Sequence, residues 1–187
     1  ADIGCGMGRW TRTMQLIGAK DVLSVDISES AIKSTSRFNK NILRTNIMKI
    51  PEEHPELKEK FDFVNIWGVA MCTHDPLKAF ESAAFTVKPG GAIFMMVYAP
   101  EGPHNTKLCT IQRKKFHSLR NVDERLCYVD HIFERKWDSD YPLMDNIKNL
   151  LRNFLGRHKG SKIGVLDMME PFYNWVIPAD VIQGWMK

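Results

Sequence analysis

The feature that most constrains this chain is a loop of alternating glycines at residues 2–8, which read Asp-Ile-Gly-Cys-Gly-Met-Gly. Glycine adopts positive φ values readily, and because it has no Cβ it lets a ligand approach the main chain. A helix that begins near Arg9 would direct its unpaired N–H groups towards such a ligand. The pattern therefore predicts a strand, a glycine loop and a helix that together bind a small ligand.

The spacing of the glycines separates two classes of ligand. A dinucleotide-binding loop reads G-x-G-x-x-G, and its third glycine would fall where this chain has Arg9. Here the third glycine is Gly8, and an acid, Asp2, precedes the loop. A carboxylate is a poor neighbour for a pyrophosphate, but it suits a ligand that carries an ammonium group. The spacing therefore disfavours a nicotinamide dehydrogenase.

Residues 2–11 resemble motif I of the class I S-adenosylmethionine-dependent methyltransferases. Residues 22–26 are a short, mostly apolar run that ends in Asp26 and is typical of a second strand. The resemblance implies that Asp26 accepts hydrogen bonds from the ribose hydroxyls of the cofactor. Ser28 then predicts the N-cap of a helix that extends to about Asn39.

The resemblance continues at Asn46 and Ile47, where the family usually carries an Asp and a residue whose backbone meets the adenine. Asn46 can still contact the adenine amino group through its carbonyl oxygen. Further on, Asp75 followed by Pro76 is typical of a helix start. The family's remaining elements are predicted as a strand over 61–67, a loop over 68–72, a helix over 76–87, a turn over 88–91 and a strand over 92–99.

The resemblance implies an α/β doubly wound, Rossmann-like fold with a mostly parallel sheet and a helical insertion after the fifth strand. The cofactor would be S-adenosyl-L-methionine, bound at the carboxyl ends of the strands, and the product would be S-adenosyl-L-homocysteine. The residues that the resemblance places at this cofactor are Asp2, Gly4, Cys5, Gly6, Gly8, Asp26, Ile27, Asn46, Ile47, Trp67 and Gly68.

Length and composition fit one domain with a substantial core, since 44% of the 187 residues are apolar and 26% are charged. We expect a cofactor-binding core over residues 1–100, the insertion over 101–165 and a return to the core over 166–187. The first strand is short and the closing hairpin of the family is missing, so we expect truncation at both ends. The apolar runs are too short to span a membrane.

Four cysteines, Cys5, Cys72, Cys109 and Cys127, show no C-x-x-C spacing and no matching pair of histidines. We therefore expect no metal site, and reduced thiols of a cytoplasmic protein are the default interpretation.

The insertion combines an amphipathic helix with a positive charge. Apolar residues recur at helical spacing over 141–155, which predicts either a lid over the acceptor or a plain packing element. Residues 101–165 contain 13 Lys or Arg and 8 Asp or Glu, so they carry all of the chain's excess positive charge. Such basic segments could hold phosphate, an anionic glycan, nucleic acid or an anionic membrane surface, or form a solvated helix face.

The methyl acceptor is less constrained than the cofactor. Residues 65–68 lack the Asn/Asp-Pro-Pro-Tyr motif of enzymes that methylate adenine or glutamine amino groups, which disfavours those acceptors. Residues 167–175 resemble a segment of methyltransferases that act on small molecules or surface glycans. However, Asn174 and Trp175 stand around the position where a histidine is expected.

His74, after the fourth strand, and Tyr173 are the candidate catalytic residues, and either can equally be a surface or structural residue.

The predicted activity is transfer of a methyl group to an oxygen or nitrogen of a small-molecule or glycan-like acceptor. Two alternatives remain open. An RNA methyltransferase would use the basic insertion to contact phosphates, although no RNA-binding module accompanies the charge. A cofactor-binding module without turnover would keep the same fold. The sequence does not predict the oligomeric state.

Overall fold

A computed structural model describes residues 1–157 and 160–186 of the chain. The chain divides into two compact units: Ala1–Tyr98 together with Ile177–Lys187, and Ala99–Val176. The second unit thus extends to Val176, beyond residue 165 where the insertion was expected to end. The return to the first unit begins at Ile177.

The first unit contains a five-stranded sheet in the order β3-β2-β1-β4-β5, with every neighbouring pair parallel. This topology confirms the predicted α/β doubly wound, Rossmann-like fold. The strands are β1 (Asp2–Ile3), β2 (Ser24–Asp26), β3 (Ile42–Arg44), β4 (Phe61–Trp67) and β5 (Val87–Met96).

Helices connect the strands and form the second unit. The α-helices are α1 (Arg9–Leu16), α2 (Glu29–Thr35), α3 (Ile50–Glu53), α4 (Pro76–Phe85), α5 (Lys107–Ser118), α6 (Val122–Phe133), α7 (Leu143–Phe154), α8 (Lys162–Met169) and α9 (Ala179–Trp185). Short 3-10 helices lie at Ile47–Lys49, Pro55–Leu57, Ala70–Cys72 and Pro103–Asn105.

The sheet reverses its strand order at β1, which pairs with β2 on one side and β4 on the other. Asp2 is in register with Ser24 of β2 and with Asn65 of β4. In open α/β sheets, ligands bind beyond the carboxyl ends of the strands at such a reversal. We call the space beyond the carboxyl ends of β1, β2 and β4 the crevice.

Two predicted helix starts in the first unit are confirmed. The Ser28 side chain accepts a hydrogen bond from the Ala31 N–H at 3.4 Å, and the Asp75 carboxylate accepts one from the Lys78 N–H at 3.0 Å. Both bonds satisfy N–H groups that a helix leaves unpaired in its first turn. Both helices end earlier than predicted. After α4, for example, the Thr86 hydroxyl donates to the Ala83 carbonyl at 2.8 Å and caps the last turn.

The core of the first unit lies on one face of the sheet. Alternate residues of β4, Val64 and Ile66, are fully buried there, as the two-residue period of a strand requires. Ala79 and Ala83 of α4 are also fully buried and belong to the same apolar cluster. Their small side chains suit close packing between a helix and the sheet.

The boundaries of β5 differ from the prediction of a turn over 88–91 and a strand over 92–99. Phe61 pairs with Val87 while Phe63 pairs with Ala92, so the intervening residues form a bulge within one strand. Gly90 has φ +76° in this bulge. Glycine in a strand interior often marks such a bulge, which the turn-like Pro-Gly-Gly sequence concealed.

The second unit is helical, which confirms the predicted helical insertion after the fifth strand. The side chains of Thr106, Asn121 and Ser161 accept hydrogen bonds from the first turns of α5, α6 and α8. A buried cluster of Cys109, Phe116, Tyr128, Val129 and Met169 joins these three helices. The unit therefore has an apolar core of its own.

Within residues 1–157 and 160–186, no helix is both long enough and apolar enough to cross a membrane. In the same residues, no group of three or more His, Cys, Asp or Glu side chains is placed to hold a metal ion.

Candidate functional site

The glycine loop, residues 4–8, leaves the carboxyl end of β1 and is fixed by main-chain hydrogen bonds. The Gly4 and Cys5 N–H groups both donate to the Val25 carbonyl of β2, at 2.7 and 2.9 Å. The Gly8 N–H donates to the Cys5 carbonyl at 2.9 Å and closes the loop before α1. The loop is thereby held beside the ends of the two strands.

The three glycines of the loop differ in their surroundings. A Cβ on Gly4 would lie 2.0 Å from Val69 Cγ2, and a Cβ on Gly8 would lie 2.4 Å from Phe38 Cζ. A Cβ on Gly6 would meet no atom within 4 Å. Gly4 and Gly8 thus allow neighbouring elements to pack closely, whereas the main chain at Gly6 is open to a ligand.

Asp26 lies at the end of β2 and faces this open part of the loop. One oxygen of its carboxylate accepts a hydrogen bond from the Gly6 N–H at 2.8 Å, and the other accepts one from the Ser28 N–H at 2.8 Å. Each carboxylate oxygen can accept a second bond. The two main-chain donors therefore orient the carboxylate and leave acceptor capacity for a ligand.

Asp2 is buried and bonded to side chains of neighbouring elements. Its side chain is only 1% exposed, and its two oxygens accept hydrogen bonds from Thr11 Oγ1 at 2.6 Å and Asn65 Nδ2 at 2.8 Å. Thr11 Oγ1 also bonds Ser24 Oγ at 2.7 Å. These bonds give Asp2 a structural role, and its predicted preference for the ammonium end of a ligand stays a prediction.

The sequence reasoning missed this buried network of Asp2, Thr11, Ser24 and Asn65. A signal was present, since Ser24 and Asn65 are polar residues inside short runs that were otherwise read as buried strands. Buried polar side chains require hydrogen-bond partners. Polar residues in neighbouring strands, together with one in the helix that follows β1, therefore indicate such a network.

Three more of the predicted cofactor-binding residues follow β2 and β3. Ile27 comes directly after Asp26, and its side chain is 63% exposed. Asn46 Oδ1 accepts a hydrogen bond from the Met48 N–H at 3.1 Å and caps the 3-10 helix Ile47–Lys49. The Ile47 side chain is buried in the core. The Thr45 N–H donates to the Asp26 carbonyl at 3.1 Å and holds the ends of β2 and β3 together.

Trp67 and Gly68 lie at the carboxyl end of β4. The Trp67 ring contacts the rings of Trp10 and Phe94, with centroids 4.8 and 5.5 Å apart, and it is partly exposed. Gly68 has φ +75°, and its N–H donates to the Met96 carbonyl at 3.3 Å. The chain turns sharply there, after the last pair of residues in the β4–β5 ladder.

Cys5 is a buried thiol inside the glycine loop. Burial, together with the nearby Asp26 carboxylate, raises its pKa from 9.0 to about 12. The thiol is therefore protonated near neutral pH, and it contacts the Gly6 carbonyl at 3.7 Å. A thiolate nucleophile at this position is disfavoured.

The structure places the two catalytic candidates in different units. His74 is exposed and lies between the 3-10 helix Ala70–Cys72 and α4, in the unit that contains the glycine loop. Tyr173 belongs to the second unit, where its ring contacts that of Phe172 at 5.2 Å between centroids. Both catalytic roles remain predictions.

The fold and the site together define a class of protein: a doubly wound α/β domain with a glycine loop and a strand-end carboxylate at its crevice. A family model described as a methyltransferase domain matches residues 2–137, which is most of the chain. The chain therefore belongs to the methyltransferase domain family. The predicted resemblance to class I methyltransferases is confirmed by this match and by the fold.

Two known proteins illustrate the similarity. The tRNA U34 carboxymethyltransferase of Campylobacter hominis is 26% identical over 125 residues, which are 65% of this chain and 43% of that protein. The structure of PKMT2 from Rickettsia typhi is 18% identical with a TM-score of 0.64, over 98% of this chain and 36% of that one. Its complex with AdoHcy matches at 17% identity with a TM-score of 0.62.

The chain spans less than half the length of both relatives. At 17–18% identity, the likeness to PKMT2 shows the fold alone.

Proposed function

We propose that this chain binds S-adenosyl-L-methionine in the crevice and transfers its methyl group to an oxygen or nitrogen of a small-molecule or glycan-like acceptor. The observation that carries the proposal is the hydrogen bond from the Gly6 N–H to the Asp26 carboxylate. It joins the open glycine of the loop to a strand-end acid with spare acceptor capacity. A ligand with a ribose diol fits that combination.

The residues around the crevice match the parts of the cofactor in chemical type. The Asp26 carboxylate would accept hydrogen bonds from the two ribose hydroxyls. The exposed Ile27 side chain would cover one face of the adenine, and Asn46 and the Ile47 backbone would contact its edge. The glycine loop would meet the amino-acid end through its main chain, since Asp2 is engaged with Thr11 and Asn65.

The cofactor would supply a methyl group on a positively charged sulfonium, which is electrophilic without further activation. The protein's contribution is then to hold the acceptor in line with that methyl group and to exclude water. Trp67 and Gly68, at the carboxyl end of β4, would border the crevice on the side of the predicted acceptor. A base is needed only for an acceptor that retains its proton, and we assign that role to His74.

A methyl-transfer assay with mass detection tests this function. The chain is incubated with S-adenosyl-L-methionine and a panel of small alcohols, amines and glycans, and we expect a mass gain of one methyl group in at least one acceptor class. A His74→Ala variant should lower kcat for a hydroxyl acceptor, whereas His54→Ala, at the end of α3, should not. Unchanged turnover in His74→Ala would remove His74 from the mechanism.

A specific observation favours RNA as a second candidate acceptor. The Campylobacter hominis relative is a tRNA U34 carboxymethyltransferase, and the excess positive charge of this chain lies in residues 101–165. An RNA methyltransferase would bind RNA with an affinity that falls steeply as salt rises. Methyl transfer to tRNA, with none to the small acceptors, would replace the first proposal by this one.

A cofactor-binding module without turnover is the third possibility. It would bind S-adenosyl-L-homocysteine in the crevice but methylate neither the small acceptors nor tRNA. Cofactor binding without transfer to any acceptor in the two assays would therefore contradict the proposed enzymatic function while keeping the proposed site.

A further inference from the structure

Helix α7 packs on the second unit through its polar face. Asn146 and Asn149 are its buried residues. The Asn146 amide exchanges two hydrogen bonds with the Asp138 main chain: Nδ2 donates to the carbonyl at 2.8 Å, and Oδ1 accepts from the N–H at 3.1 Å. Asn153 Nδ2 donates to the Glu134 carbonyl at 3.0 Å. These amides fix which side of the helix faces outwards.

The outward side of α7 and its first following residue is apolar, and we call it the α7 stripe. Its members recur three or four residues apart, so they form one continuous band along the helix. All of them are exposed, with Phe154 the most exposed at 88%. The α7 stripe consists of Leu143, Met144, Ile147, Leu150, Leu151, Phe154 and Leu155.

The sequence predicted either a lid or a packing element over residues 141–155, and the exposure of the α7 stripe disfavours a packing element. A packing helix buries its apolar face, yet α7 buries amides and exposes six large apolar side chains, followed by the exposed Leu155. A contiguous exposed apolar patch of this kind marks an interaction surface.

Basic residues accompany the α7 stripe. Lys148 and Arg152 lie four residues apart and therefore share one side of the helix, and both are exposed. Asp145, also on α7, has its carboxylate 3.8 Å from Lys148 Nζ. In sequence, residues 143–166 contain five Lys or Arg and one Asp, a net charge of +4. The surface is thus apolar along its centre and positively charged beside it.

We propose that α7 binds the surface of a membrane that contains anionic lipids. An amphipathic helix with large apolar residues on one face and Lys or Arg beside them lies in the membrane interface, with its apolar face at the acyl boundary. Lys148 and Arg152 would then meet the lipid phosphates. The proposal concerns a surface of the second unit and goes beyond methyl transfer.

Two other occupants fit less well. RNA is bound by basic grooves with aromatic side chains on which bases stack, but the α7 stripe is aliphatic except for Phe154. A second copy of the chain would bring another segment with a net charge of +4 over residues 143–166 against the first, and the like charges would repel. An anionic lipid surface satisfies both the apolar and the basic residues.

Vesicle sedimentation tests the proposal. The purified chain is mixed with phosphatidylcholine vesicles, with and without phosphatidylglycerol, and we expect binding that requires the anionic lipid. Leu150→Glu combined with Phe154→Glu should weaken this binding at least about tenfold, because it places two carboxylates in the α7 stripe. The matched control is Val122→Glu with Leu126→Glu, an exposed apolar pair four residues apart on α6.

A second pair of variants tests the charge. Lys148→Gln with Arg152→Gln should weaken binding and reduce its sensitivity to salt, whereas Lys33→Gln with Arg37→Gln, exposed residues of the first unit, should not. Circular dichroism confirms that each variant is folded.

Three results would overturn the proposal. The first is that the folded chain does not bind anionic vesicles, or binds them equally well with glutamates in the α7 stripe. The second is a dimer in light scattering that those glutamates dissociate, which would assign the α7 stripe to a second copy. The third is binding to an RNA hairpin that depends on the α7 stripe, with no binding to vesicles.

Discussion

Gly6 and Gly8 belong to one loop and both have positive φ, +52° and +83°, yet their roles differ. Gly8 is enclosed, since an added Cβ would approach Phe38 Cζ at 2.4 Å and Thr35 Oγ1 at 2.7 Å. A Cβ added to Gly6 would meet no atom within 4 Å. At the residue scale, Gly8 supports the fold and Gly6 supports the binding of a ligand.

Substitution by alanine separates these roles. We expect Gly8→Ala to lower the free energy of unfolding by about 2–4 kcal/mol, through backbone strain and overpacking. Gly6→Ala should cost about 1 kcal/mol of stability and weaken cofactor binding, because the new Cβ occupies the open side of the loop. Urea denaturation and calorimetric titration measure the two effects.

Gly156→Ala is the matched control for Gly6→Ala, because Gly156 has φ +60° and open surroundings but lies in the other unit. It should lose similar stability and keep full cofactor affinity. Equal loss of affinity in both variants would contradict the assignment of Gly6 to the site.

Asp2 is the second residue whose environment leads to a prediction. Asp2→Ala would leave the donors on Thr11 and Asn65 buried without their acceptor, so we expect a loss of about 2–4 kcal/mol in the free energy of unfolding. Asp21→Ala, which removes an exposed carboxylate bonded to Asn41 Nδ2, should cost about 0.5 kcal/mol or less. Urea denaturation measures the free energy of unfolding of both variants. Similar losses of stability in the two would contradict the structural role of Asp2.

At the element scale, the sequence predicts strands and helix starts better than their ends. The bounds of β4 follow directly from its apolar run, and the caps of α2 and α4 follow from Ser28 and Asp75. The bulge in β5 could not be predicted, because Pro-Gly-Gly also suits a turn and only pairing with β4 decides between them. The outward direction of the α7 stripe depends on amide contacts with distant residues, which a helical period does not reveal.

In the candidate site, too, the sequence predicts the positions of residues along the chain better than the contacts between distant residues. The positions of Asp26 and the glycine loop were predictable, because spacing along the chain sets which residues follow β1 and β2. The hydrogen bond from Gly6 to Asp26 and the burial of Asp2 depend on how three strands come together. Local sequence carries no information on that arrangement.

The region around α5 should respond to acid. Burial lowers the pKa of His104, just before α5, and of His117, within it, below the usual value of 6.5, and the Arg113 guanidinium lowers both further. The unfolded chain therefore binds protons at a higher pH than the folded chain does. Stability is retained above about pH 6.5 and is lost as the pH falls through that value towards the lower pKa of the folded state.

Thermal unfolding at a series of pH values measures this effect. We expect Tm to fall between about pH 7.5 and pH 5.5, and to fall less in a His104→Asn, His117→Asn double variant. The comparison concerns the slope with pH, because the variant's Tm at neutral pH can differ for other reasons. An equal slope in the two proteins would show that these histidines do not cause the acid sensitivity.

At the scale of the whole molecule, the two units carry different chemistry. The first unit contains the sheet, the glycine loop and Asp26, and the second contains the basic segment 101–165 and the α7 stripe. This separation is common when a shared cofactor-binding fold is combined with a variable element, since function depends on sites and not on the fold alone. Cofactor binding and surface binding should therefore be separable by mutation.

The central claim is that Asp26 and the glycine loop form the cofactor site. Calorimetric titration of S-adenosyl-L-homocysteine into the chain tests it most directly, with Asp26→Ala as the test variant and Asp62→Ala as an exposed acidic control. We predict micromolar binding by the chain and by Asp62→Ala, at least about tenfold weaker binding by Asp26→Ala, and no binding of NADH. Equal affinity in Asp26→Ala, or no binding by the folded chain, would contradict the claim.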